Sequence, residues 1–494
     1  MRRLALLVFA LLLAAPGETL TGTVVDAAGR PVEGARVRLR SSSTFVLTRP
    51  DGRFTLADPN VASGGEITAA SPGHIIGGTT LKEMVFDYRI QLPAIPAGDD
   101  PTYPWVTAFP EDAQAPRTDF GREPCGACHR RILAEWQESA HARAATNPRF
   151  LAFFDGRNSL SFKRSNPVTS DGCGNCHAPM ATGEDPREAT GVAAEGVGCD
   201  LCHKISQARP GQGERTGVRA VDLRRPPFGR QTIFGPFDDV PRGRDAFAPV
   251  FTESRYCAAC HQTRAGSVST YSEFEEWQAS RFARDGVTCQ ACHMRSDGQA
   301  KTMSDLGPGR IERDPATLSS HRFHDALSPG FLAEAIGLTL SARVDGDTIV
   351  AEVEVANRGA GHHLPAGSPM RHMLLVVTAE TDGTALTMTE GTTLPALSGS
   401  PLDGRPGRAF AKLLADGEGR QRVPPWRATS EVSDTRIPAG GQDRSLYRFR
   451  ADHPGPVRVT ATVLIRRTFP DWAETAGVET SEITAARTTV IVPR

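Results

Sequence analysis

Apolar and polar residues alternate along two early stretches of the chain. Ala35, Val37 and Leu39 are interleaved with Arg36, Arg38 and Arg40, and Met84, Phe86, Tyr88, Ile90 and Leu92 with Val85, Asp87, Arg89 and Gln91. A period of two is the mark of strands with one buried face. Turn residues punctuate them, DAAGRP at 26–31 and PDGR at 50–53, so 18–92 is predicted to be a β-sandwich. The pattern then stops: six prolines (93, 96, 101, 104, 110 and 116) among scattered acids predict an extended linker over 93–119. Period two returns in LTLSARVDGDTIVAEVEVAN at 338–357, a hairpin turning at Asp345–Gly346. With strand-like runs at 373–379, 457–465 and 486–492, it makes 337–494 a sandwich-like C-terminal β domain. Between them, 120–336 has weak periodicity of either kind and Gly/Pro/Arg-rich stretches such as RRPPFGRQTIFGPFDDVPRGRD at 224–245, with a short helix predicted at 329–336. The fold class is multidomain: an N-terminal β-sandwich, a mainly helical or irregular centre, and a C-terminal β domain.

A chain of 494 residues fits two to four domains. Residues 1–17 place two arginines before an apolar run, Leu4 to Ala15, and then small residues, which predicts a secretory signal peptide too short to span a bilayer permanently. The mature chain is expected to be exported, to the periplasm or the cell surface. No later stretch is apolar enough for a transmembrane helix. A formal charge of −1 offers no basic excess for nucleic acid. Only five of the 56 basic residues are lysine. Coding bias accounts for most of that, and guanidinium forks also suit buried carboxylates.

The cysteines carry the chemistry. All ten fall in five copies of one pattern: Cys125/Cys128/His129, Cys173/Cys176/His177, Cys199/Cys202/His203, Cys257/Cys260/His261 and Cys289/Cys292/His293. An exported chain would use an even cysteine count for disulfides, and one CxxC would leave zinc or redox roles open. Neither needs a histidine directly after each pair. Covalent c-type haem does: two thiols add to the vinyl groups and the adjacent imidazole becomes the proximal iron ligand. Five covalently bound haem c groups are expected.

Five of 13 histidines are then proximal, which leaves eight. His74 and His453 read as loop histidines. Six remain as distal candidates: His141, His321, His324, His362, His363 and His372. If 130–145 is helical, Ala134, Glu138 and Ala145 share a face with His141, and small side chains there would admit a flat ring. His321 and His324, three apart, would face the same way, so they serve two irons or one is idle. Adjacent His362 and His363 should diverge, and at least one of them is expected not to ligate. His372 fits a core position as readily as a ligand. Met180 and Met294 follow their motif histidines too closely to reach the opposite side and read as packing residues. EWQESAH at 135–141 is echoed by EWQASRF at 276–282, with Phe282 where the first copy has His141.

Two resemblances follow. TGTVVDAAGRPVEGARVRL with TRPDGRFTL resembles carboxypeptidase-regulatory-like β-sandwiches, which implies surface presentation. CGNCHAPM, EGVGCDLCHK, SRYCAACHQ, EWQASRFARDGVTCQACHM and NRGAGHHLPAG, over about 120–375, resemble the cytochrome c554-like multihaem family. That resemblance implies closely stacked haem pairs, mostly with two imidazoles per iron, and His141, His321 and His362 as distal ligands. The chain departs from the family at Phe282 and at GRDAFAPVF (243–251), where relatives often carry a histidine. No catalytic residue set is expected. The leading expectation is an exported pentahaem carrier of single electrons between redox partner proteins, other cytochromes or a quinol-linked donor, with possible association at a membrane surface or outer-membrane complex. Two alternatives stay open: a reductase acting on a small nitrogen or sulfur compound at one open haem, and a polymerising conductive surface cytochrome.

Overall fold

The computed structural model describes residues 19–61, 64–85, 87–110, 123–165, 172–181, 185–211, 215–227, 231–306, 310–452 and 454–494. The expected signal peptide, Phe86, His453 and residues 111–119 of the expected linker lie outside the described residues.

Two sheets form the N-terminal sandwich. One orders Arg53–Ala57, Thr19–Asp26 and Asp87–Leu92, and the other orders Val46–Leu47, Arg36–Leu39, Glu66–Ala70 and Gly77–Thr80. Tyr88, Ile90 and Leu92 point inward while Asp87, Arg89 and Gln91 face solvent. The alternation becomes a strand only at Asp87, because Met84 has φ +64 in a turn and is exposed. Leu20, Val24, Val37, Phe54, Leu56 and Ile67 fill the core. In the DAAGRP turn the Asp26 carboxylate accepts the N–H groups of Ala28 and Arg30, both at 2.9 Å. Gly22 is required where strands meet, since a Cβ there would lie 2.2 Å from the Tyr88 carbonyl oxygen.

The Pro-rich segment packs against the centre over Tyr103 to Ala108, where an extended linker is expected. Tyr103, Val106 and Ala108 are buried. A segment broken by prolines cannot build its own ladder, and carboxylates of the central region satisfy its backbone instead. Val106 N–H donates to Asp200 at 2.9 Å, Ala108 N–H donates to Glu195 at 3.0 Å, and Asp99 grips the Arg225 guanidinium at 2.6 Å. In turn, the Thr107 and Ala108 carbonyls accept the N–H groups of Cys125 and Gly126, at 3.2 and 2.9 Å. The segment thereby seats the first CxxCH motif. The sandwich also docks directly on the centre: Arg36 and Arg38 both pair with Asp238, and Ser41 N–H donates to Asp239, which Arg313 neutralises.

The C-terminal domain has two sheets around one core. The first runs Ile336–Asp345, Thr348–Asn357, Gln442–Arg450, Met388–Glu390. The second runs Ser430–Asp434, Gly407–Ala415, His372–Thr381, Val457–Arg466, Glu482–Val492. The expected hairpin closes on the pair Asp345↔Thr348, with Gly346 at φ +64. Val353, Val355, Met373, Leu375, Tyr447, Phe449 and Val463 are buried together.

The centre consists of short helices, turns and three two-stranded sheets, Ile205–Ala208 with Val221–Leu223, Ile233–Gly235 with Asp245–Phe247, and Thr263–Ala265 with Val268–Tyr271. Its longest described helix, Arg130–Glu138, ends before His141, so the condition of a helix over 130–145 is not met. Ser139 ends it: both its hydroxyl and its N–H donate to the Trp136 carbonyl, at 2.6 and 2.9 Å, so the side chain competes with helix continuation. The expected helix at 329–336 is present as Phe331–Ala335.

Candidate multihaem site

Each CxxCH motif lies on a short helix, over Cys125–Cys128, Gly174–His177, Cys199–Cys202, Arg255–His261 and Cys289–His293. One turn places both thiols on one edge with the imidazole directly beyond them. All ten cysteines and all five motif histidines line one continuous cavity of about 1950 Å³. Among the other candidates, His141, His321, His324 and His362 line it too, and His363 and His372 do not. Thiols of different motifs approach one another across it, Cys199 with Cys125, Cys260 with Cys176 and Cys257 with Cys289. The Tyr256 hydroxyl, one residue before the fourth motif, donates to the Cys202 carbonyl of the third at 2.9 Å. The five motifs are therefore a connected series rather than isolated sites.

The ten thiols sit in unlike surroundings. None of the ten is disulfide-bonded. Burial pushes the Cys173 thiol up to about 12 and Cys202 to about 11, while hydrogen bonds with Cys257 and Ser254 bring Cys289 down to about 7.

Three of the motif imidazoles are oriented by backbone carbonyls. His129 Nδ1 lies 2.7 Å from the Met303 carbonyl, His203 Nδ1 2.6 Å from that of Phe234, and His293 Nδ1 2.6 Å from that of His324. A carbonyl on Nδ1 fixes the tautomer and leaves Nε2 free to ligate, the arrangement seen around metal-bound histidines. Burial pushes His177 and His293 down to about 4, so the rings are neutral, as ligation requires.

Two further imidazoles stand opposite motif imidazoles. His141 and His261 have ring centroids 6.3 Å apart at 80°, and His362 and His293 have centroids 6.3 Å apart at 19°. Two metal–nitrogen bonds of about 2.0 Å each, extended by the half-width of each ring, leave about 6 Å between trans imidazole centroids. Both pairs fit an iron between them. His141 Nδ1 and His321 Nδ1 have no hydrogen-bond partner, and burial pushes both rings down to about 3. The ionisable groups that act on His321 are His203 first, then Arg131 and His129. Phe323 stands between the two, edge-on to His141 at 4.4 Å and to His321 at 6.0 Å.

The remaining candidates sit elsewhere. His363 turns to Glu276 and Asp434, 3.7 and 3.9 Å from its Nδ1. Arg436 already bridges those two carboxylates at 2.6 and 2.7 Å, so the cluster is an ion-pair network. His372 is fully buried in its strand, stacked on Phe469 at 4.8 Å, which makes it a core residue. His324 is held by its carbonyl at His293 and packs near Phe331 and Arg295 at the cavity edge. Phe150 stacks on His177 at 4.3 Å. Met180 is buried against Gly198, away from the cavity, while Met294 lines it. The carbonyls that orient the motif rings, Met303, Phe234 and His324, carried no signal in the sequence, because backbone acceptors are read only from the fold.

This fold and this cavity define a multihaem c-type cytochrome, a class that binds haem c covalently and transfers electrons. The sequence matches the family "Cytochrome c554 and c-prime" over residues 124–204 and 244–294, which hold all five motifs. In these segments the chain is similar to cytochrome c554 proteins. Cytochrome c-554 of Nitrosomonas europaea is 26% identical to it over 151 residues, 30% of this chain and 59% of that protein's length. In fold it resembles a penta-heme cytochrome c552 from Thermochromatium tepidum (TM-score 0.56, 22% identity), over 74% of this chain and 97% of the other. No helix among the described residues is long and apolar enough to cross a membrane.

Proposed function

We propose that this chain is an exported carrier with five covalent haems that relays single electrons between redox partners. The observation that carries the reading is the pairing of His141 with His261 and of His362 with His293 at 6.3 Å inside one cavity that all five motifs share. The five motifs would each hold one haem, with His141, His362 and His321 as distal ligands to the irons of His261, His293 and His203. Bound haem supplies one-electron ferric/ferrous chemistry, and an iron with imidazole on both sides has no position for a substrate. The chain's own contribution is to fix ring orientation through carbonyls on Nδ1, to exclude water with apolar walls, and to keep neighbouring motifs in contact. Redox partners would be other cytochromes or a quinol-linked donor, met at a membrane surface or in an outer-membrane complex. The two β domains are suited to such docking, since both lie outside the motif series. The N-terminal sandwich fits the carboxypeptidase-regulatory-like type in its strand and turn pattern, and the apolar run at 4–15 supports export.

A reductase is the second reading, and one observation favours it. With His324 as a fourth distal ligand beside His141, His321 and His362, the non-motif histidines that line the cavity among the described residues number four for five motifs, which leaves one iron without a protein imidazole. An open iron is necessary for inner-sphere chemistry and does not by itself produce it. The reduced protein is expected to bind carbon monoxide at no more than one haem and to turn over nitrite and hydroxylamine negligibly with a viologen donor. Steady consumption of either, abolished by cyanide, would replace the carrier with the reductase.

A further inference from the structure

We infer that the chain contains two copies of one haem-clamping unit, in which Glu135 and Glu276 are positioning residues for the distal imidazoles and Trp136 and Trp277 hold the facing CxxCH motifs. The inference rests on the reading of His321 and His362 as distal ligands. The repeat EWQxSxH/EWQxSxF supplies the frame, and the hydrogen bonds of its two copies coincide. Ser139 and Ser280 each end their helix by donating Oγ–H to the carbonyl of the tryptophan, at 2.6 and 2.7 Å. Trp136 Nε1–H donates to the Val197 carbonyl at 2.9 Å, and Trp277 Nε1–H to that of Val287 at 2.8 Å. The N–H of Val197 donates to the His141 carbonyl at 3.0 Å, and that of Val287 to the Phe282 carbonyl at 2.8 Å. Gly196 and Gly286 precede those valines with φ +66 and +73. Two residues past each valine a CxxCH motif begins, at Cys199 and Cys289.

The glutamates complete the equivalence. Glu135 Oε2 accepts the N–H of His321 at 2.8 Å, and Glu276 Oε2 accepts the N–H of His363, next to His362, at 2.9 Å. Both carboxylates are almost wholly buried and each is neutralised by a guanidinium, Arg131 for Glu135 and Arg436 for Glu276. Ser320 and Ser272 hydroxyls add a further bond to each. A bond from a backbone N–H to a buried carboxylate is charge-assisted and costly to break. Glutamate and tryptophan are adjacent on one helix turn. One of them fixes the segment that carries the distal ring, and the other fixes the segment that leads into the proximal motif. Each turn would thus set the spacing between the two imidazoles that would hold one haem, His203 with His321 in the first copy and His293 with His362 in the second. The second motif, at 173–177, lies in the insertion 142–195 that separates the parts of the first copy, where the second copy has only 283–285.

The test compares holo-proteins carrying Glu135→Ala, Glu135→Gln, Glu276→Ala and His321→Ala, and the double variant Glu135→Ala/His321→Ala. Haem content, low-temperature EPR and the redox titration are read on each. Glu135→Ala is expected to keep the full haem content while one low-spin signal is replaced by a high-spin one. Glu135→Gln, which retains an acceptor oxygen for His321 N–H, restores the low-spin signal. The double variant shows no loss beyond that of His321→Ala, and Glu276→Ala changes a different low-spin signal. A high-spin signal in His321→Ala with a wild-type spectrum in Glu135→Ala overturns the clamp and leaves the ligand reading standing. An unchanged spectrum in His321→Ala overturns the ligand reading, and the clamp with it. Failure of both alanine variants at glutamate to accumulate with full haem content assigns the carboxylates to general folding and also overturns the clamp.

Discussion

Replacing His141 by alanine is expected to convert one low-spin haem to high spin and to create a new carbon monoxide site in the reduced protein, with every thioether intact. The reason is geometric: the His141 and His261 ring centroids lie 6.3 Å apart. The ring angles sharpen the expectation. Imidazole planes at 80° leave the iron orbitals that overlap them nearly degenerate, which gives a strongly anisotropic low-spin EPR signal. Planes at 19° lift that degeneracy and give a rhombic one. His141→Ala should therefore remove a strongly anisotropic signal, and His362→Ala a rhombic one. An unchanged spectrum in His141→Ala would make that ring a wall residue only.

The second large effect concerns folding. Produced without haem attachment, the chain is expected to leave 123–335 open to protease while 336–494 stays resistant. The cavity of about 1950 Å³ takes the place of a side-chain core in the central region. At about 24 cal/mol per Å³ of unfilled volume, keeping it open would cost on the order of tens of kcal/mol, far above the roughly 5–15 kcal/mol that holds a domain folded. The C-terminal domain has its own closed core of Val353, Met373, Tyr447, Phe449 and Val463. Limited proteolysis with mass mapping of the fragments reads the difference. Equal resistance of both regions would mean that the centre folds on side chains alone.

The parts of this molecule that repeat or alternate could be read from sequence, because those properties are local. The five CxxCH motifs, the Asp345–Gly346 hairpin and the alternation at 88–92 all lie where the sequence puts them. What escaped depends on residues far apart in the chain. Nothing local says that Asp200 and Glu195 will satisfy the backbone of Val106 and Ala108, and so the packed segment reads as a linker. Nor does helical periodicity show that the Ser139 hydroxyl will end the helix before His141. The six distal candidates were separable only by direction: His363 turns to Glu276 and Asp434 and His372 enters a core, while His141 and His362 meet motif rings. The EWQ repeat was visible, and its meaning came from the carbonyls and N–H groups that its glutamates and tryptophans reach.

The central claim, five covalent haems on five motifs in one cavity, is tested most directly by the intact mass of the protein purified from a host with c-type maturation, together with thiol labelling of the denatured chain. The account requires the mass of the processed polypeptide plus five haems and no labelled thiol. A smaller haem complement with two or more free thiols would contradict it.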